Sequence, residues 1–119
     1  MVGKLKNKYF QKKLELEELE KRFNIFSEFI KYIKPGDIIY MTEIMYDLFC
    51  NEYHELEVQD TSQELGIIYC IERTEIGLNE HYLEDLDFYL KDSNGLFIKS
   101  DEINNINEIE KICKINRKR

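Results

Sequence analysis

Apolar residues at positions 2, 5, 9, 16, 19, 23, 26, 30 and 33 step alternately by three and four, and only Lys12 breaks the series. That spacing is a heptad seam sustained over more than four heptads, and it predicts one long helix. Neither Gly nor Pro interrupts from Lys4 to Lys34, and Glu17–Lys21 and Glu18–Arg22 sit at the favourable i,i+4 spacing. The stripe has two widths. From 23 to 33 it broadens to Phe23, Ile25, Phe26, Phe29, Ile30, Tyr32 and Ile33, the breadth of a face buried in its own domain. From 5 to 20 it is narrow, and Leu5, Tyr9, Leu16, Leu19 and Phe23 read as a dimerisation seam. Two arrangements satisfy it. Either the N-terminal half of a helix about 45 Å long projects and pairs with a second chain, or the whole helix lies along its own domain.

Beyond residue 33 the punctuation changes. Lys34-Pro35-Gly36-Asp37 stops the helix in a turn of type II character. Ile38-Ile39-Tyr40 reads as a short strand, and Thr42 as the N-cap of a helix to about Glu52 with Ile44, Met45, Leu48 and Phe49 inward. Residues 53–61 are polar, acidic and without period, as in a loop. Thr61-Ser62-Gln63-Glu64 matches a capping box and Gly77 a helix stop, so 62–76 reads as helix despite the strand-forming run Gly66–Ile71. Asn79 caps a helix over 80–91, Asn94-Gly95 is a turn, and Leu96-Phe97-Ile98 is a second short strand that pairs with Ile38–Tyr40. A last helix starts at Ser100 or Asp101 and uses Ile103, Ile106, Ile109 or Ile112 and Cys113. The expected fold is therefore mainly α with a small β component (α+β), a single domain over 1–119. Residues 1–22 project, 23–115 form the core, and 116–119 are a frayed basic tail.

The stretches "FIKYIKPGDIIYMTEIMYDLF" and "HYLEDLDFYLKDSNGLFIKS" give the order helix, strand, capped helix, then helix and wing strand. In that order, over residues 23–100, the chain resembles a winged helix-turn-helix domain, with 53–78 inserted where the family has a short turn. The resemblance implies that the long N-terminal helix is followed by a winged-helix-like helical domain, with DNA binding through the helix at 80–91. The charges of that helix oppose the second implication. It offers Lys91 alone against Glu80, Glu84, Asp85, Asp87 and Asp92, whereas phosphate contacts from Lys and Arg supply most affinity for DNA.

Charge sharpens this. The chain of 119 residues carries a net −7, but residues 1–13 carry five Lys and no acid, while 38–98 carry fourteen acids and two bases. An acidic middle between basic ends fits a partner with a positive surface. The candidate surface is Glu52, Glu55, Glu57 and Asp60, with Glu80, Glu84, Asp85 and Asp87, flanked by Tyr53 and Tyr82, tyrosine being a frequent interface anchor. Tyr46 is also expected to be exposed. The basic ends, Lys4, Lys6, Lys8, Lys12 and Lys13 and then Lys111, Lys114, Arg117, Lys118 and Arg119, offer at most weak contact with nucleic acid.

Catalytic chemistry finds no purchase: the five glycines form no phosphate loop, and no Ser sits in a nucleophile elbow. Cys50-x-x-x-His54 with Cys70 and His81 is formally a Cys2His2 set, but it lacks close C-x2-C pairs, so neither metal nor cofactor is expected. Three cysteines fit free thiols in a reducing compartment. No apolar run approaches the ~20 residues of a membrane helix and no leader-like stretch opens the sequence, so a cytoplasmic, non-membrane protein is expected. Sixteen Ile and no Ala point to an AT-rich genome. The expectation is a small acidic, non-enzymatic inhibitor or regulator from a phage, virus or mobile element, acting inside the host cell. It would occupy a basic, nucleic-acid-binding surface of a protein partner, as an anti-CRISPR or another nucleic-acid mimic does. The alternative is a dimeric winged-helix DNA-binding regulator.

Overall fold

The computed structural model describes residues 2–45 and 50–117. A helix α1 (Val2–Tyr32) leads into six strands, β1 (Ile38–Met45), β2 (Cys50–Ser62), β3 (Ile67–Thr74), β4 (Gly77–Leu83), β5 (Tyr89–Lys91) and β6 (Phe97–Lys99). A 3-10 turn (Ser100–Glu102) and a helix α2 (Ile106–Ile115) follow. The strands form one antiparallel sheet in the order β4-β3-β2-β1-β5-β6.

The mainly α expectation is overturned: the fold is α+β with a substantial sheet. Residues 42–45 continue β1, paired with β2 out to Met45↔Cys50, rather than opening a helix. Tyr46, Leu48 and Phe49 lie outside the described residues. The expected loop at 53–61 is part of β2. Its period is two, but only Leu56 and Val58 on its inner side are apolar, and the outer positions are Tyr53, Glu55 and Glu57. The capping box is a hairpin turn in which the Ser62 hydroxyl accepts from the Leu65 amide at 3.1 Å. Gly77 opens β4 at φ 143, opposite Thr74, so it ends no helix. The helix at 80–91 is absent too. Leu86, Phe88 and Leu90 are fully buried at every second position, a strand period that the neighbouring Tyr82, Leu83 and Tyr89 disguised as a helical one. Phe97–Lys99 pairs with β5, and β5 rather than β6 pairs with β1. As far as they are described, the segments read as the second and third helices of that order run as strands joined by a connection at 84–88, not as helices.

Two turns match the expectations: the Pro35-Gly36 turn has Gly36 at φ 94, and Asn94-Gly95 turns with Gly95 at φ 79. The last helix is present but starts later than expected: Ser100 and Asp101 form a 3-10 turn, and α2 begins at Ile106, capped by the Asn105 side chain on the Asn107 amide.

The core lies on one face of the sheet. Ile39, Leu56, Val58, Ile68, Cys70 and Leu90 point from the strands into Ile25, Phe26, Phe29, Ile30 and Ile33 of the C-terminal part of α1 and its extension, and into Ile109, Ile112 and Cys113 of α2. Phe88 sits among them, edge to face with Phe29 at 5.2 Å. The preceding part of α1 touches none of this: residues 3–21 are exposed throughout. The molecule accordingly extends 61 × 37 × 30 Å with a radius of gyration of 17.2 Å. A compact domain of this length has about 13.5 Å. Between β2 and β3 the register slips at Val58/Asp60, a bulge at Gln59.

Three ties hold the end of α2 to the sheet, the first being the Ile38 amide, which donates to the Asn116 carbonyl at 2.9 Å. The Asn116 amide accepts from the Lys91 backbone N–H at 2.8 Å and donates to the Lys91 carbonyl at 2.9 Å. Arg117 reaches the buried Asp37 carboxylate at 3.2 Å. Residues 116 and 117 are thus fastened, not frayed; 118 and 119 lie outside the described residues. Replacing Asn116 by Ala leaves both polar groups of Lys91 without that partner. In chemical denaturation N116A should lose about 1–3 kcal/mol, against less than about 0.5 kcal/mol for Lys114→Ala on the exposed side of α2.

Candidate functional site

Because α1 and α2 cover one face, the other is open: among the described side chains, none on it between β4 and β6 is fully buried. Alternation along each strand decides what it shows. β1 contributes Ile38 and Tyr40, β2 Tyr53, Glu55 and Glu57, β3 Tyr69, Ile71 and Arg73, β4 Leu78, Glu80 and Tyr82, β5 Tyr89 and Lys91, and β6 Phe97 and Lys99.

The face divides in two. Over β1, β5 and β6 the aromatics close on one another. Tyr53 and Phe97 stack at 3.7 Å with planes 2° apart although two strands lie between theirs, so the sheet curls inward here. Tyr40 meets Phe97 edge to face at 4.9 Å, Tyr89 meets Tyr53 at 5.2 Å, and the Lys91 ammonium lies over the rings of Tyr40 and Phe97. The rings cover one another in part, and Tyr53 and Phe97 remain exposed.

Over β2, β3 and β4 the face is acidic. Tyr69 and Tyr82 stack at 4.9 Å, and both hydroxyls donate to Glu80, at 2.9 and 3.4 Å. That hydrogen bond to Glu80, with burial, pushes the Tyr69 phenol above its ordinary range. Glu57 and Glu80 flank Ile71 in one cross-strand row, and Asp60 stands opposite Tyr69 in the next. A depression of about 220 Å³ is lined by Ile38, Tyr53, His54, Glu55, Glu57, Ile71, Glu72 and Arg73. Arg73 is the basic side chain that β2, β3 and β4 contribute to this half.

Of the ten expected partner-binding residues, the structure thus brings six to one surface: Tyr53, Glu55, Glu57, Asp60, Glu80 and Tyr82. Glu52 is exposed on β2 but falls on the other side of the alternation. Glu84, Asp85 and Asp87 do not share a helical face with Glu80. They sit in the β4–β5 connection, where Asp85 holds Arg22 of α1 at 2.9 Å and caps the Leu86 amide. Tyr69, Ile71 and Arg73 were missed because β3 was read as helix. The strand-forming run Gly66–Ile71 was the signal that would have found them.

The helix side of the sheet carries a separate cluster, beyond the edge of the core. Glu72 on β3 puts one carboxylate oxygen 2.8 Å from His54 Nδ1 on β2 and the other 3.1 Å from His81 Nε2 on β4. The three line a cleft of about 500 Å³ with Met41, Thr42, Thr74 and Asn79. Among the described residues no three His, Cys, Asp or Glu side chains converge as metal ligands do. Here each imidazole addresses a different carboxylate oxygen, so the ring nitrogens share no point. Cys70 and Cys113 are free thiols, buried and pushed up to about 12, which suits inert core residues. The Cys50 side chain lies outside the described residues. No described helix is long and apolar enough to cross a membrane.

Burial alone would raise the Glu72 carboxyl. The hydrogen bond from His81, the charge of His54 and a hydrogen bond with Asn79 outweigh it and lower the pKa below its ordinary 4.5. A carboxylate lowered in the folded state stabilises the fold above the unfolded pKa and loses that contribution as pH falls through the folded one. The stability difference between wild type and Glu72→Gln should therefore be larger at pH 7 than at pH 3, measured by urea denaturation at both values.

Comparison with protein-family models, with curated proteins and with solved structures finds no match to this chain, so no family is assigned to it.

Proposed function

We propose that this is a non-enzymatic binding protein whose acidic, tyrosine-bearing sheet face over β2, β3 and β4 engages a basic surface of a protein partner. One observation carries the reading. Glu55, Glu57, Asp60 and Glu80 stand on a face that neither helix covers, beside the stacked pair Tyr69 and Tyr82. Tyrosines supply rigid contact area with few rotamers to lose, and the carboxylates supply sign and steering. A basic groove that ordinarily holds phosphates matches this pattern, so an inhibitor or regulator occupying such a groove is the role it fits. Nucleic acid itself fits poorly. The same carboxylates repel phosphate, and the recognition helix that a winged-helix regulator would use is here a pair of strands.

A disordered Lys/Arg-rich peptide serves as the probe. In NMR titration the shift changes should be confined to β2, β3 and β4 and should fade between about 0.01 and 0.15 M salt, over which the screening length falls from roughly 30 to 8 Å. The triple variant Glu55→Lys/Glu57→Lys/Glu80→Lys should bind about tenfold more weakly or worse, or about 1.4 kcal/mol. A control reversing the exposed Glu84, Glu102 and Glu108, none of them on a strand, should bind as wild type. Equal loss in both variants would mean that net charge rather than this face is recognised, and the proposal would fail.

A further inference from the structure

The first two-thirds of α1 is a second surface, independent of the sheet. Leu5 is 78% exposed and Phe23 69%, and Tyr9, Leu16 and Leu19 between them are also exposed. The seam itself is therefore not packed along its own domain, although Glu17, Glu20 and Lys21 on another side of the helix line a depression with Asn104 and Ile106. A projecting helical segment of this length is marginal in water by itself, and an apolar seam along it is stabilised by burial against a matching one.

The charges on α1 select the occupant and its direction. Lys4, Lys6, Lys8, Lys12 and Lys13 are followed by Glu15, Glu17, Glu18 and Glu20, so one half of the segment is basic and the next acidic. With Tyr9, Leu16 and Phe23 at one seam position and Leu5, Lys12 and Leu19 at the other, the flanking positions follow from the heptad. In a parallel in-register pair, Lys8 would flank Lys13 and Glu15 would flank Glu20 of the second copy. Every such pair is like-charged. A parallel pair would also set two bodies side by side whose 38–98 segments each hold fourteen acids against two bases.

We infer that α1 binds a second copy of this chain antiparallel, with the two-fold axis near residue 14. Leu5 then layers on Phe23 of the second copy, Tyr9 on its Leu19, and Lys6 lies beside its Glu20. The two acidic bodies stand at opposite ends of the paired helices. Lys13 and Glu15 meet their own counterparts at the axis. Arg22, which flanks Lys8, is already neutralised by Asp85 and Asp101. Lys12, the one polar seam position, falls next to the axis, where a single polar residue costs stability but fixes register.

The full chain is tested by sedimentation equilibrium at about 50 µM, a concentration at which a coiled-coil dimer of micromolar Kd is mostly assembled. The expected mass is twice 14.4 kDa. Leu16→Glu/Leu19→Glu, at exposed positions, should halve it while thermal unfolding of the sheet domain stays cooperative. Mild oxidation reads direction. A mixture of Leu5→Cys and Phe23→Cys chains should give a disulfide-linked dimer on a non-reducing gel, and Leu5→Cys alone should not, with wild type as the blank for native thiols. A monomeric or trimeric mass, a dimer that survives the double Glu variant, or a cross-link formed by Leu5→Cys alone would each overturn the inference.

Discussion

Phe29 meets Phe88 edge to face at 5.2 Å, and Phe26 approaches the same ring from the side. This contact seats the last turns of α1 on the sheet, and its reach is short. Ile25, Phe26, Phe29 and Ile30 are buried and residues 3–21 are all exposed, so a 31-residue helix is held by roughly its final third. Neither α1 nor α2 covers the opposite face. The open face and the projecting helix both follow from that short reach: only the end of α1 and α2 pack on the sheet, and they do so on one face. Antiparallel sheets tolerate it, since one face can be solvated when every second residue is polar or is satisfied by its neighbours.

The two uncovered surfaces are treated differently by the sequence. The open face is made compatible with water in part by carboxylates and in part by closing its aromatics on one another, with Lys91 over two of the rings. The helix seam has no such treatment. Its leucines and aromatics are exposed with only Lys12 among them. An apolar line left open on a chain otherwise so rich in charge points to association.

The sequence makes α1 and the turns legible, because both depend on local signals: a long uninterrupted period, Pro-Gly and Asn-Gly. The sheet was misread for identifiable physical reasons. β2 hides its alternation, since Glu and Tyr on the open face look like loop. β3 is bounded by Ser62 and Gly77, which serve hairpin turns as well as they serve helix ends. Around β4 and β5, Tyr82, Leu83, Leu86, Tyr89 and Leu90 happen to fall three and four apart, while the packing follows Leu86, Phe88 and Leu90. The identity of the acidic residues was readable throughout. Which of them share a surface was not, because that depends on pairing between strands distant in sequence.

The bulge at Gln59 gives β2 a property that strands rarely have. Removing one residue from a regular strand turns every later side chain to the opposite face. Here Val58 already pairs with Cys70 and Asp60 with Tyr69, so the ladder passes over Gln59 without counting it. Losing Gln59 would therefore leave Leu56, Thr61 and everything paired with them on the sides they now occupy. A length difference at position 59 would be a change in curvature rather than a change in fold.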